Sequence, residues 1–300
     1  MTDFRGVYSV LPTPFTAEDR VDRESLRALV DLFVGAGVQG LTALGVTSEV
    51  TRLSEAERVQ VLETVLERAA GRVPVVVGAT AEGTALCIEH ARIAGRAGAA
   101  AVMVSPPRMP KLASDAVVRH FAALAAAVDL PIVVQDYPPV SGYAMEPALL
   151  ARIAREVPSA RTIKLEDAPT PLKTVRILER CEGVPVHILG GLGGVFLLEE
   201  LMAGAAGAMT GFAYPEILLA VVERFRAGDV AEAARVFYRN VALMRFEFQD
   251  GIGMAIRKEV LRRRGAIAHA GVRAPATPLD DSTRAALDLV LEWVDPEHAR

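Results

Sequence analysis

The 300-residue sequence contains little cysteine and tryptophan, with two and one residues respectively. The cysteines, Cys87 and Cys181, are too few for the disulfide framework of a small secreted protein, so reduced thiols in a cytoplasmic protein are expected. The first ten residues, MTDFRGVYSV, lack the basic and apolar regions of a secretory signal. No apolar run reaches the ~18 residues of a membrane span, so no membrane association is expected.

The sequence also lacks a large excess of charge of either sign and any metal-binding motif. The 33 basic and 37 acidic side chains give a net charge of −4, and both signs are scattered along the chain. Without a basic stripe, nucleic acid is not an expected partner. The five histidines show no metal-ligand spacing with cysteine or carboxylate. Neither a Ser–His–Asp set nor an HExxH motif is recognisable, so no metal site is predicted.

Eight short apolar runs are present, each followed by a polar or glycine-rich corner and then an amphipathic stretch. Most are apolar on both alternating sets of residues, which is typical of parallel strands covered on both faces. The runs are 6–12, 40–45, 73–80, 100–106, 130–138, 161–166, 184–191 and 207–212. Between them, residues 54–70 have helical spacing, and Ser54 with Glu57 forms a capping box. Ser114 is expected to cap the helix after the fourth strand.

Strands alternating with helices over 6–226 predict an α/β protein with a (β/α)8 TIM barrel. The alternative is an open, doubly wound sheet, which more often has fewer strands and a G-x-G-x-x-G motif after the first. Beyond residue 226 the pattern is helical only. We therefore predict a catalytic barrel over 1–226 and a C-terminal helical appendage over 227–300, packed on the barrel and without chemistry of its own.

Reactive groups of such barrels lie where the strands end. Lys164 interrupts the apolar strand TIKLE, so its amine is expected in or above the barrel. Burial disfavours a charged amine and makes it nucleophilic, and the chemistry that needs such an amine is imine formation with a ketone. The alternative is a lysine that extends to solvent or pairs with a carboxylate. Glu166 shares its face, because strand side chains alternate, and either moves protons or orients a loop.

Two glycine-containing turns are candidate substrate contacts. The motif GVTSE supplies Gly45 and the hydroxyls of Thr47 and Ser48 before a helix, which suits a substrate carboxylate. A plain strand–helix turn is the alternative. The motif GGLGG, with Gly190 and Gly191, lacks the spacing of a nucleotide loop, and a tight turn explains it equally well.

Together these residues resemble the pyruvate-dependent class I lyases that include dihydrodipicolinate synthase and N-acetylneuraminate lyase. The resemblance covers almost the whole chain. It rests on PTPF (12–15), GVTSE (45–49), the glycine of VVVGAT (75–80), VSPP (104–107), QDYPPVSG (135–142) and IK (163–164). It implies a barrel, a homotetramer or dimer, and no metal or organic cofactor. It also implies that Lys164 forms a Schiff base with a 2-oxo acid and that Thr47 and Ser48 bind its carboxylate.

Four positions depart from the family pattern. Gln135 stands where strand five of the family has its proton-transfer tyrosine, and Val46 replaces the threonine of the same relay. The tyrosine after strand four is replaced around Pro107–Arg108, and Val140 replaces the arginine that binds aspartate semialdehyde. These departures point away from a lysine-pathway synthase. The combination of QD-x-P with K-x-E is similar to the subgroup that includes 2-keto-3-deoxy-L-arabonate dehydratase.

The sequence therefore predicts a Schiff-base lyase for a 2-oxo acid, with dehydration of a 2-keto-3-deoxy sugar acid ahead of aldol cleavage. Lys164 is the predicted nucleophile and Glu166 the general acid/base. Gln135 positions substrate or water, while Thr47 and Ser48 hold the carboxylate. The alternatives are a pyruvate-condensing synthase of the 4-hydroxy-tetrahydrodipicolinate type and a catalytically silent barrel that binds a 2-oxo acid.

Overall fold

A computed structural model describes residues 4–294 of the chain. Eight parallel strands pair in chain order, and β1 closes the sheet against β8. The strands are β1 Gly6–Val10, β2 Gly40–Ala43, β3 Val75–Gly78, β4 Ala101–Val104, β5 Ile132–Asp136, β6 Thr162–Leu165, β7 His187–Gly190 and β8 Gly207–Thr210. The predicted barrel is therefore confirmed. Each strand lies within one of the eight apolar runs, whose outer residues form the adjoining loops.

Twelve α-helices accompany the strands in the described part of the chain. They are α1 Arg23–Ala36, α2 Glu55–Ala69, α3 Thr84–Arg96, α4 Ser114–Ala127, α5 Pro138–Ser141, α6 Pro147–Glu156, α7 Thr170–Arg180, α8 Leu197–Met202, α9 Pro215–Arg226, α10 Val230–Glu247, α11 Gly253–Arg263 and α12 Asp281–Trp293. None of the described helices is long and apolar enough to cross a membrane. Cys87 in α3 and Cys181 after α7 are both buried.

The alternation of side chains along each strand separates two cores. Residues of one set fill the barrel interior: Phe4, Tyr8, Val10, Val76, Ala101, Met103, Val133, Leu189 and Met209. The other set, which includes Ile163 and Leu165 of β6, packs outward against the helices. Lys164 lies between these two outward residues, so the pleat directs its side chain into the barrel.

One of the two predicted helix caps is present. The Ser54 hydroxyl accepts a hydrogen bond from the Glu57 amide, and the Glu57 carboxylate accepts one from the Ser54 amide, so the capping box of α2 is confirmed. The prediction for Ser114 was wrong. Ser114 is the first residue of α4 rather than its cap, and its hydroxyl hydrogen-bonds the Tyr143 hydroxyl at 3.0 Å instead.

The C-terminal region is helical, as expected, and its helices α10–α12 pack on the barrel and on one another. A buried ion pair joins it to the β2 turn, where Lys258 Nζ of α11 lies 2.5 Å from Glu49 Oε1. Lys258 and Arg273 also pack over the Phe15 ring, at 4.3 and 4.2 Å from its centroid. The division at residue 226 stays a prediction. Residues 1–3 and 295–300, at the outer ends of the two predicted domains, lie outside the described residues.

Candidate functional site

Lys164 is buried in the barrel interior near the carboxyl end of β6, with 3% of its surface exposed. In the strand register it lies between Gln135 of β5 and Leu189 of β7. Its Nζ lies 3.1 Å from Glu166 Oε2, which confirms that the two side chains share the inner face of the strand. A buried amine and a carboxylate are thus held in direct contact inside the barrel.

A polar chain continues from this pair across β5 to β4. Gln135 Nε2 donates a hydrogen bond to the same Glu166 Oε2 at 2.6 Å. The Ser105 hydroxyl donates to Gln135 Oε1 at 3.1 Å, which fixes the orientation of the amide so that its nitrogen faces the carboxylate. Because Gln135 and Ser105 are both buried, this chain holds Glu166 Oε2 beside the Lys164 amine.

The glycines of the β7 turn contact two acidic side chains on opposite sides of the barrel wall. A β-carbon on Gly191 would lie 2.2 Å from Glu166 Cγ, so only glycine leaves room for that carboxylate arm. A β-carbon on Gly190 would lie 1.7 Å from Glu200 Oε2, on the outer side of the strand. Direct substrate contact by Gly190 and Gly191 stays a prediction. Their observed contacts shape the surroundings of the site.

Glu200 is itself a buried carboxyl group beneath this wall. Thr170 donates a hydrogen bond to its Oε1 at 2.6 Å, and its Oε2 has no hydrogen-bond partner among the described residues. Burial raises the pKa of Glu200 to about 7, helped by the nearby charges of Glu199 and Glu166, while the Thr170 hydrogen bond opposes the shift. Glu200 is therefore largely protonated in mildly acidic solution.

The hydroxyl of Ser48 stabilises the turn after β2 through two hydrogen bonds to the backbone. It accepts from the Gly45 amide at 3.0 Å and donates its hydrogen to the Leu11 carbonyl at 2.6 Å. Thr13 also donates to the Ser48 carbonyl, at 2.6 Å. A hydroxyl has one hydrogen to give, so Ser48 has none left for a substrate in this geometry. A role of Ser48 in carboxylate binding stays a prediction.

Thr47, the preceding residue of this turn, is in the opposite situation. Its Oγ1 is buried, and it makes no hydrogen bond within residues 4–294. A buried hydroxyl without a partner costs about 1–3 kcal/mol, which an acceptor placed beside it would recover. Of the two predicted carboxylate-binding hydroxyls, Thr47 is the one with a hydrogen to offer.

A cavity of about 200 Å³ opens at the barrel mouth beside this chain. Ser105 and Gln135 line its polar side, and Met103, Thr80, Val46 and Val140 are among the remaining wall residues. Larger cavities exist, including one of about 530 Å³ between Phe15, His269 and Arg284. That cavity lies among the C-terminal residues and contains none of the predicted site residues. The smaller one is the candidate substrate site, because it reaches the Gln135–Glu166 chain.

Asp136 of the QD motif faces outward and anchors a loop. Lys173 of α7 lies 2.6 Å from both Asp136 Oδ2 and Asp167 Oδ2. Burial raises the pKa of Asp136 to about 6, and the positive charge of Lys173 opposes that shift. This cluster ties α7 to the ends of β5 and β6 and so supports the strands that carry Gln135 and Lys164.

Several site residues were missed by the sequence analysis. Ser105 is the first residue after β4, and the rule that strand ends carry reactive groups could have selected it. Tyr137 follows Gln135 by two residues, and burial together with the charge of Glu166 raises its pKa. Glu200 lies on the short helix α8, and the sequence carries no local signal for its position behind the site.

The eight-stranded barrel, with a buried lysine and carboxylate at the ends of its strands, is the arrangement expected of a barrel enzyme. The chain belongs to the dihydrodipicolinate synthetase family, whose pattern matches residues 3–293. Members of this family are lyases, and this chain is therefore a lyase.

Named relatives of the chain carry two different activities. L-2-keto-3-deoxyarabonate dehydratase of Azospirillum brasilense is 33% identical over 299 residues, covering 97% of this chain and 95% of the relative. The 4-hydroxy-tetrahydrodipicolinate synthase of Sorangium cellulosum is 35% identical over 282 residues, covering 93% and 92%. Among solved structures, dihydrodipicolinate synthase from Rhodopseudomonas palustris superposes with a TM-score of 0.91 at 34% identity, covering 97% of both chains.

A further neighbour is YagE from Escherichia coli K12, a protein of the same family that was solved in complex with pyruvate. It superposes with a TM-score of 0.90 at 27% identity, covering 96% of this chain and 98% of that protein.

The raised pKa of Glu200 predicts a specific pH dependence of stability. Between pH 4.5, the ordinary value, and about 7, the folded protein keeps a proton that the unfolded chain releases, so this group's contribution is full at low pH and is lost as the pH rises. In Glu200→Gln, the decrease in unfolding free energy from pH 5 to pH 8 should shrink by about 2 kcal/mol. Urea unfolding at the two pH values measures this.

The matched control is Glu179→Gln, at an exposed glutamate of α7, whose pH dependence should equal that of the unchanged protein. Identical pH dependence in Glu200→Gln and the unchanged protein would contradict the assignment.

Proposed function

We propose that this lyase forms a Schiff base between Lys164 and a 2-oxo acid, and that it dehydrates a 2-keto-3-deoxy sugar acid. The observation that carries the proposal is the contact between Lys164 Nζ and Glu166 Oε2 at 3.1 Å inside the barrel. A nucleophilic amine and a proton-accepting group are both needed for imine chemistry, and they lie in contact here.

The proposed reaction begins when the unprotonated Lys164 amine attacks the C2 ketone, and loss of water leaves an imine. The imine draws electrons away from C3, so a proton is released there and an enamine forms. The C4 hydroxyl then leaves, taking a proton with it as water. Glu166 accepts the C3 proton and returns it to the leaving hydroxyl. In a pentonate, loss of a proton from C5 and gain of one at C3 then convert the unsaturated imine into a C4–C5 enol, which becomes the aldehyde when C4 takes up the enol proton. Hydrolysis of the imine frees Lys164.

The other predicted residues hold the substrate and the acid/base. Gln135 keeps the Glu166 carboxylate beside the amine through its 2.6 Å hydrogen bond and presents the rest of its amide to the cavity. Thr47 donates its free hydroxyl to the substrate carboxylate. Ser48 and Gly45 give the turn its shape through their mutual hydrogen bond. Gly190 and Gly191 contribute by leaving space for the side chains of Glu200 and Glu166, respectively.

The lining of the cavity favours dehydration over the condensation reaction. Val140 lines it at the position where the resemblance leads us to expect an arginine for aspartate semialdehyde. Gln135 has no phenolic hydroxyl, so the family's tyrosine relay is absent at that position. The similarity to a named keto-deoxyarabonate dehydratase over nearly the whole chain supports the same choice.

Pyruvate condensation is the second candidate, because relatives of similar identity are named 4-hydroxy-tetrahydrodipicolinate synthases. A barrel that binds a 2-oxo acid without turnover is the alternative from another class. Assembly into a dimer or tetramer and a cytoplasmic location are part of the proposal, and no organic cofactor or metal is required by the reaction as written.

Borohydride reduction in the presence of pyruvate should attach the reduced three-carbon unit to Lys164, because reduction converts the imine into a stable secondary amine. Peptide mass mapping locates the adduct. Lys111→Met, at an exposed lysine, should trap as well as the unchanged enzyme, whereas Lys164→Met should not. An unmodified Lys164 peptide under saturating pyruvate would refute the Schiff base.

Glu166→Gln should retain trapping of pyruvate but lose turnover by about 10²–10⁴-fold, because an amide cannot carry the C3 proton. Steady-state rates and trapping yields on the same preparation measure the two effects separately. Glu63→Gln, at an exposed glutamate of α2, is the matched control and should stay within about three-fold in rate. Unchanged turnover in Glu166→Gln would remove the acid/base role.

A screen of 2-keto-3-deoxy pentonates and hexonates by NMR should show loss of water, with 2-oxoglutarate semialdehyde formed from the pentonate and no release of pyruvate. Lys164→Met serves as the inactive control. Release of pyruvate would identify an aldolase, and saturable binding without product would identify a silent barrel. Either result would overturn the dehydratase proposal.

A further inference from the structure

The C-terminal extension places a buried arginine at the barrel mouth. Arg257 of α11 is 4% exposed, and its Nε donates to Glu247 Oε2 of α10 at 3.3 Å. Glu247 Oε2 also accepts from the Ala213 amide at 3.1 Å, so the carboxylate is fixed to the loop after β8. The ion pair therefore holds the guanidinium in a set orientation relative to the barrel.

The free end of this guanidinium lies over Gly211. A β-carbon on Gly211 would lie 2.7 Å from Arg257 Nη1 and 3.2 Å from Thr47 Oγ1. Gly211 follows β8 by one residue and shares the inward register of Met209, so the space over it belongs to the barrel mouth. Glycine at this position lets the arginine and the threonine hydroxyl lie next to the same point.

Both groups can still donate hydrogen bonds. Within residues 4–294, only the Nε of Arg257 makes one, which leaves its terminal nitrogens as donors, and Thr47 Oγ1 is a buried orphan. A buried arginine with free donors beside an unpaired hydroxyl is a site for an anion with two oxygen acceptors, because the guanidinium fork matches a carboxylate. The Glu247 carboxylate occupies the Nε side and does not block the other end.

We propose that Arg257 and Thr47 together bind the carboxylate of the 2-oxo acid, so that the C-terminal extension contributes a substrate-binding residue. This inference rests on the proposed Schiff-base function. In a 2-oxo acid the carboxylate carbon is bonded directly to the ketone carbon. Its binding site must therefore lie in the same barrel mouth as Lys164, where the pair over Gly211 is found.

Residues 45–48 of the β2 turn carry no charge that could bind a carboxylate, and Glu49 is already paired with Lys258. Val46 and Thr47 bring no charge to the β2 turn, and the Ser48 hydroxyl hydrogen is already used. Arg257 supplies the positive charge from a helix that follows the barrel in sequence by more than forty residues. We therefore expect the C-terminal extension to affect binding of the substrate carboxylate, which is next to the imine, rather than binding of the distal sugar end.

Two variants test the proposal, and both keep a positive charge at position 257 that can pair with Glu247. Gly211→Ala keeps Arg257 and pushes its flexible end aside, and Arg257→Lys keeps the charge but loses the fork. Each should raise the pyruvate concentration for half-maximal borohydride trapping by about ten-fold. Gly35→Ala, where a β-carbon meets nothing within 4 Å, and Arg245→Lys, at an exposed arginine of α10, are the matched controls.

Hydroxyacetone, a neutral ketone of the same length, separates anion binding from general damage. Its trapping should change by less than about two-fold in both variants, since it has no carboxylate to lose. Unchanged pyruvate dependence in both variants, or equal losses with the two ketones, would overturn the proposal. If the unchanged enzyme traps no pyruvate, the Schiff base fails instead. In that case the shift in melting temperature caused by pyruvate, which needs no covalent bond, tests the Arg257 site. The shift should be smaller in Gly211→Ala and Arg257→Lys than in the unchanged enzyme, and equal shifts would overturn the proposal.

Discussion

The contact between Lys164 and Glu166 is the interaction on which the rest of the site depends. A lysine amine inside a barrel is costly to bury unless a carboxylate accompanies it, and a buried carboxylate in turn needs its own hydrogen bonds. Gln135 supplies one of these at 2.6 Å, and Ser105 fixes the amide that supplies it. The polar chain from β4 to β6 is therefore a consequence of placing one amine in the barrel, and the proposed reaction uses the same contacts for proton transfer.

The two faces of the barrel wall divide the work of building the site. The inner face carries Lys164, Glu166 and Gln135, the groups of the proposed reaction, while charged groups on the outer face hold the strand ends in place. Lys173 joins Asp136 and Asp167 behind the wall. Gly191 has no side chain, which leaves the space that the Glu166 side chain occupies. This arrangement keeps the inner side chains in position without adding bulk to the mouth.

The sequence was sufficient for the fold because local patterns and chain topology agree. Most of the eight apolar runs are apolar on both alternating sets, which is typical of covered strands, and their number favoured a barrel over an open sheet. Lys164 and Glu166 were also predictable, since a charged residue in such a strand is conspicuous and the pleat fixes its direction. The partners of this pair were harder to find. Ser105 precedes Gln135 by thirty residues, and Arg257 approaches Thr47 only through the packing of α11, which no periodicity encodes.

The departures from the family pattern gain a physical meaning in this geometry. Replacing a tyrosine by Gln135 removes a hydroxyl that can carry a proton, but the amide holds the Glu166 carboxylate beside the amine, and in the proposed reaction Glu166 is the group that transfers the proton. Replacing a threonine by Val46 removes one donor from the β2 turn. Because residue 211 is glycine, the Arg257 guanidinium can occupy the space over the end of β8, where it supplies hydrogen-bond donors and a positive charge. In the proposed site, the charged donor of Arg257 takes over the carboxylate binding that the neutral donors of the β2 turn no longer supply. The residues around Lys164 can then differ from the family pattern without loss of that binding.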